Sequence, residues 1–302
     1  MINLKTNIAS LNMENPTMLA SGLMDEDAGS MKRILNCGAG AIVTKSIGLE
    51  PREGYNNPTV LDLEYGIINA MGLPNPGIIE FGQEVKQIKK LKPPLIGSIY
   101  GSNSKEFIEL AEKMQKYGAN ALELNMSCPH AKGYGLEIGS DPKFVKDITS
   151  KVKQSVEIPV FVKISPNLTN IIEIAKSAEK GKADAIVAIN SVKAMKIDID
   201  LKMPVLANKV GGYSGKAIKP IGVRCVYEIS ENVSIPIIGV GGITSGEDAI
   251  EYFMAGASAV QIGSAIYYRG LDVFKKVCDE IKDWMKINKY DNISDLIGVA
   301  HK

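Results

Sequence analysis

Residues 121–128 read ALELNMSC, and the chemistry of the stretch changes halfway along. The first part is nearly all apolar, as a strand covered on both faces requires. Asn125, Ser127 and Cys128 then crowd its end. Similar runs are PTMLASG (16–22), AIVTKS (41–46), PLIGSIYG (94–101), PVFVKISP (159–166), AIVAINS (185–191), PIIGVGG (236–242) and AVQIGSA (259–265). Between them lie segments of helical spacing, at 104–119, 141–156, 170–183 and 246–257, several ending in Gly-Ala or Lys-Ala ahead of the next apolar run. Repeated β-then-α units predict an α/β fold, a (β/α)8 TIM barrel with long active-site loops. The long connections are residues 47–79, after the second run, and 192–218, after the sixth; such loops are often lids or ligand-binding segments. A doubly wound open sheet is the structural alternative, but no G-x-G-x-x-G fingerprint supports it. Residues 1–302 read as a single barrel domain.

The chain has 302 residues, 45% hydrophobic and 23% charged, which is enough apolar material for a large core and argues against disorder. A net charge of +1 argues against a dedicated nucleic-acid binder. Cys37, Cys128, Cys225 and Cys278 form no C-x-x-C pair, so no local zinc or iron-sulfur site is suggested and no metal is expected. MINLKTNIASLNMENP lacks the apolar stretch of a membrane span or signal peptide, so a cytoplasmic protein without a membrane anchor is expected.

In a barrel of this kind the active site forms where the strands end. Ser21 and Gly22 follow the first run, Lys45 and Ser46 the second, Ser98 the third, Asn125 and Cys128 the fourth, Lys163 the fifth, and Asn190 with Ser191 the sixth. Gly239, Gly241 and Gly242 end the seventh, Gly263 and Ser264 the eighth, and GGYSG (211–215) precedes them. Glycines let backbone N–H groups close on an anion, and the loops after strands 7 and 8 are a recurrent phosphate site. They also make tight turns, but their convergence in the expected fold points to a phosphate-bearing ligand. Lys45 and Lys163 are cations at equivalent strand ends, where something anionic or electron-rich should meet them. Asn69, Asn125 and Asn190 offer donors and acceptors together, which suits a planar heterocycle with alternating N–H and C=O edges.

These residues and motifs resemble the class 1 dihydroorotate dehydrogenases, flavin-dependent enzymes of de novo pyrimidine (UMP) biosynthesis. The resemblance runs through LASG (19–22), TKS (44–46), NAMGLPNPG (69–77), ELNMSCPH (123–130), VKISPN (162–167), INS (189–191), GGYSGKAIKP (211–220), GVGGI (239–243) and QIGSA (261–265). It implies FMN over the barrel mouth. Its phosphate is expected at Gly241, Gly242, Gly263 and Ser264 with Gly215 nearby, and its ring system against Ser21, Lys45, Ser46, Asn125, Lys163 and Ile189. Substrate is expected on Asn69, on the backbone of Met71, Gly72 and Leu73, and on Asn125, Asn190, Ser191 and Lys45. By the same resemblance, Cys128 takes a proton from C5 of (S)-dihydroorotate while hydride leaves C6 for flavin N5, giving orotate.

The glycine-bearing stretch AKGYGLEIGSDP (131–142) is similar to the active-site loop of the partner-dependent subclass. That likeness implies a second subunit carrying FAD and a 2Fe-2S cluster, NAD as final acceptor, and a homodimer core within a heterotetramer. Many class 1 members have SCPN where this sequence has SCPH, with His130. SCPH also occurs in the flavin domain of dihydropyrimidine dehydrogenases, so uracil-type bases are an alternative substrate. A barrel lyase using Lys45 or Lys163 as a Schiff-base amine on a phosphosugar is an alternative of another class.

Overall fold

The computed structural model describes residues 2–88, 92–127 and 136–302, apart from the side chains of Leu136 and Glu137. Each of the apolar runs forms one strand of a barrel: β1 Thr17–Leu19, β2 Ala41–Val43, β3 Leu95–Ile99, β4 Ala121–Asn125, β5 Val160–Ile164, β6 Ala185–Ala188, β7 Ile237–Val240 and β8 Ala257–Ile262. Every strand pairs in parallel with the next in sequence, and β8 pairs with β1 through Val260↔Thr17 to close the ring. The architecture is a (β/α)8 barrel.

The longer helices are α1 Ala28–Asn36, α2 Ile78–Ile88, α3 Ser104–Tyr117, α4 Pro142–Ser155, α5 Ile171–Lys180, α6 Lys219–Ser230, α7 Gly246–Met254 and α8 Val273–Ile287. Their ends follow local chemistry. Asn103 caps α3 by accepting from the Lys105 and Glu106 N–H groups, and Gly118, at φ 112°, stops it in a left-handed turn. Ser245 and Asp248 form a reciprocal capping box at the start of α7. Phe107, Leu110, Ala111 and Met114 make the buried stripe of α3, at the spacing a helix packed on a sheet requires.

Strand residues alternate between two cores. Leu122, Leu124, Val160, Val162, Ile164, Val260 and Ile262 face the helices. Met18, Ala41, Val43, Ile96, Ala121, Phe161, Ala185, Val187, Ile238 and Ala259 fill the barrel interior, joined by Ile8, Leu11 and Met13. Those last three belong to an antiparallel hairpin, Thr6–Ile8 with Leu11–Met13, which plugs the end of the barrel away from the strand C-termini.

Both long connections carry strands. Val60–Leu63 and Gly66–Asn69, from the loop after β2, pair with Gly211–Ser214 and Val192–Ala194, from the loop after β6. The resulting antiparallel sheet has a small core of Ile68, Ala70 and Leu206. Its short strands joined across about 140 residues leave no local periodicity to read. Among the described residues, no helix is long and apolar enough to cross a membrane.

Candidate active site

Alternation along β4 turns Glu123 and Asn125 toward the barrel axis, above Ala121. Asn125 lies at the strand end and organises the mouth. Its Nδ2 donates to Ser46 Oγ at 2.9 Å, and Ser46 Oγ lies 2.8 Å from Ser98 Oγ and 3.3 Å from Ser21 Oγ. Its Oδ1 accepts from Ser127 Oγ at 3.2 Å, and Ser127 Oγ accepts in turn from Asn190 Nδ2 at 2.9 Å. One polar chain therefore links the ends of β1, β2, β3, β4 and β6, which the sequence separates by as many as 169 positions. Ser191 N–H donates to Asn190 Oδ1, and the Ser191 carbonyl accepts from Asn167 Nδ2. The Ile189 and Asn190 N–H groups bond to the Val240 and Ile164 carbonyls, pinning this segment between its neighbours.

Beneath the chain is a layer that sequence reasoning missed. Glu123, fully buried, accepts from Gln261 Nε2 at 2.6 Å, and Lys163 Nζ lies 3.4 Å from Glu123 Oε1 and 3.3 Å from Gln261 Oε1. The signal was present: a glutamate and a glutamine stand inside otherwise apolar runs, on the face that points into the barrel.

Lys45 sits differently from Lys163. Its Nζ donates to Glu26 Oε1 at 2.7 Å, at the rim. Asp25, fully buried, accepts from the Gly22 N–H through Oδ2 at 2.5 Å, while its Oδ1 has no hydrogen-bond partner. Burial pushes the Asp25 carboxyl up to about 6, against the opposing pull of the Gly22 N–H and the Lys45 charge. Asp25 was another residue the sequence reading passed over.

The segment after Gly66–Asn69 runs beside the residues that follow β2 and β3. Asn69 is half-buried and reaches the Gly212 carbonyl at 3.5 Å; Met71 is exposed, and Gly72 and Leu73 both adopt left-handed backbone, at φ 79° and 58°. Asn75 holds this shape. Its Nδ2 donates to the Leu73 carbonyl and Tyr100 Oη, and its Oδ1 accepts from the Gly48 and Gly77 N–H groups. Arg52 Nε donates to the Gly72 carbonyl at 2.7 Å.

On the opposite side of the mouth the glycine loops converge. A Cβ on Gly242 would lie 2.8 Å from both the Gly215 carbonyl oxygen and the Lys219 nitrogen, so these three segments touch through backbone. Gly215, Gly241 and Gly242 all have positive φ, at 108°, 127° and 68°. Tyr252 Oη donates to the Gly241 carbonyl at 2.7 Å and fixes the loop from below. Gly263 ends β8 near Ala20, and Ser264 precedes the short helix Ala265–Arg269. Cys128 and His130 lie outside the described residues. Cys225 and Cys278 are buried, and burial pushes both thiols up to about 11, which leaves them inert packing groups.

A closed parallel barrel with a ladder of amides and hydroxyls at one side of its mouth and close-packed glycine loops at the other defines a (β/α)8 barrel whose polar residues gather at the strand C-termini, where barrels of this kind carry their chemistry. A sequence profile described as dihydroorotate dehydrogenase matches residues 3–285, and the chain belongs to that family, whose members depend on a flavin. Among its relatives, "Dihydroorotate dehydrogenase B (NAD(+)), catalytic subunit" of Methanocaldococcus jannaschii is 53% identical, over 99% of this chain and 98% of the relative. The protein of the same name from Thermoplasma acidophilum is 53% identical over 99% of both chains. That of Pyrococcus furiosus is 48% identical over 100% of both. In fold, the chain is similar to a crystal structure of the Eimeria tenella enzyme in complex with ferulenol, with a TM-score of 0.86 at 24% identity, over 99% of this chain and 89% of that one.

Proposed function

We infer that the chain oxidises (S)-dihydroorotate to orotate as the catalytic subunit of an NAD-linked enzyme, with FMN as its cofactor. The observation that carries this reading is that the Ser46–Asn125–Ser127–Asn190 chain and the close-packed Gly215–Gly242–Lys219 segments both lie at the strand C-terminal end of one barrel. The residues fit FMN. Gly215, Gly241 and Gly242 all take positive φ and bring three backbone segments together without side chains at the strand C-termini, which suits a backbone-held phosphate, and Lys163 is a buried cation suited to a ring that gains negative charge on reduction. Gly241, Gly242, Gly263 and Ser264 would hold the phosphate, with Gly215 beside them. Ser21, Lys45, Ser46, Asn125, Lys163 and Ile189 would hold the ring system. FMN, when bound, supplies the two-electron acceptor for the hydride leaving C6 of the substrate.

The chain's own groups do the rest. Asn125 and Asn190 present amides whose donors and acceptors match the alternating N–H and C=O edge of a dihydropyrimidine ring. Asn69, Ser191 and the backbone of Met71, Gly72 and Leu73 complete the binding surface. Lys45 is placed to exchange its exposed partner Glu26 for the substrate's negative charge. Cys128 follows directly after Ser127 and acts as the base at C5. An ordinary thiol ionises near pH ~8.5, so a neighbouring cation that favours the thiolate assists it. The Schiff-base alternative loses support, because the family profile and the relatives are all named for a dehydrogenase.

The test is anaerobic. Dihydroorotate should bleach the flavin absorbance of the purified protein and dihydrouracil should not. A flavin left oxidised by dihydroorotate overturns the reading, and bleaching by dihydrouracil alone moves it to the uracil-type alternative. The relatives' names call them catalytic subunits, which supports a partner; the FAD and 2Fe-2S subunit is the finer proposal. The chain alone should then reduce its flavin yet fail to reduce NAD, and NAD reduction by the lone chain would overturn the pairing.

A further inference from the structure

The buried layer formed by Glu123, Lys163 and Gln261 is expensive to keep. A fully enclosed ion pair gives up the hydration of two charges, and apolar replacements of similar size are often neutral or stabilising. Packing therefore does not account for it. The distances say how the charges are distributed. The short bond runs from Gln261 to Glu123, at 2.6 Å, and locks the carboxylate. Both contacts to Lys163 are longer, at 3.3 and 3.4 Å, and Glu123 Oε1 has no hydrogen-bond donor. The carboxylate thus acts on Lys163 as a fixed charge from below. Asn125, two residues along the same inward face and in register with Lys163, stands at the mouth immediately above.

We propose that Glu123 is a positioning residue that sets the electron affinity of the bound flavin through Lys163, with Gln261 as the clamp that holds its carboxylate in place. The proposal rests on the FMN reading above. A flavin gains negative charge on reduction, so the Lys163 ammonium favours the reduced form, and the buried carboxylate offsets part of that effect. In a medium from which water is excluded, neither charge is strongly screened.

The experiment is a reductive titration of FMN-loaded protein against reference dyes. Glu123→Gln keeps the shape and still offers Gln261 an acceptor, so its midpoint potential should shift to more positive values. Glu123→Leu removes the carboxylate with a side chain of similar size and should shift the potential in the same positive direction; it carries the test if Glu123→Gln does not fold. Glu123→Asp retains the charge and should stay near the parental potential. Parental potentials in both Glu123→Gln and Glu123→Leu, with flavin bound, overturn the proposal and leave the function standing. A parent protein that takes up no FMN in a fluorescence-quenching titration overturns both, so the two failures are told apart.

Discussion

Asp25 is a carboxylate held at a cost. Its folded value of about 6 lies above the usual 3.8, so between those values the native state carries a proton that the unfolded chain has lost. Stability must then fall as pH rises through that window, and above it the full penalty applies, on the order of 2–3 kcal/mol. Asp25→Asn should accordingly unfold at higher denaturant concentration than the parent at pH 7, with the gain vanishing near pH 3.5. A variant equally stabilised at both pH values would remove ionisation as the cause. What the carboxylate supplies in return is the bond that fixes the Gly22 turn beside Ser21. Cys128 is the other residue whose chemistry is testable alone. Cys128→Ser should retain flavin but lose at least ~100-fold in the rate of flavin reduction at neutral pH, because a hydroxyl, unlike a thiol, is not ionised there to accept the proton. Undiminished stopped-flow reduction would take Cys128 out of the mechanism.

At the scale of elements, the glycine loops show how much a single Cβ can matter. Gly242→Ala puts a methyl group against two backbone segments and requires a left-handed turn from a residue that resists it. FMN affinity should fall by roughly tenfold or more, while Tm changes by only a few degrees. Parental affinity in an equilibrium FMN titration would mean that the loop does not hold the phosphate. The elements were legible in unequal measure. Strands β1 to β8 were readable because each is an apolar run closed by polar residues, the signature of burial on both faces. The paired strands in the two long loops were not, because Gly66–Asn69 owes its conformation to Gly211–Ser214, far away in sequence. The place of Asn125, Asn190 and the glycines at the strand ends could be read from position alone. Glu123 and Gln261 showed only as polar residues inside apolar runs, and Asp25 not at all, since their meaning comes from burial and from partners elsewhere in the fold.

For the whole molecule, the decisive feature is a barrel whose two ends differ, one filled by apolar side chains and the other lined with polar ones. The N-terminal hairpin seals the lower end with Ile8, Leu11 and Met13, and the polar residues of the candidate site gather at the strand C-termini. Ile8→Ala, at a position fully enclosed in that plug, should cost about 2–5 kcal/mol and lower Tm without changing flavin affinity. Weaker flavin binding in a folded Ile8→Ala protein would mean that the two ends of the barrel are coupled.

The sequence by itself determined the order of strands and helices, the closure into a barrel and the set of polar residues at its mouth. Those follow from local periodicity and from the rule that parallel strands carry chemistry at their C-terminal ends. Only the tertiary structure decided which of these residues meet. Hydrogen bonds and charges act over a few ångströms of space, and closing the ring brings Glu123 against Gln261, and Ser21 into one chain with Asn190, across distances in sequence that no local pattern spans.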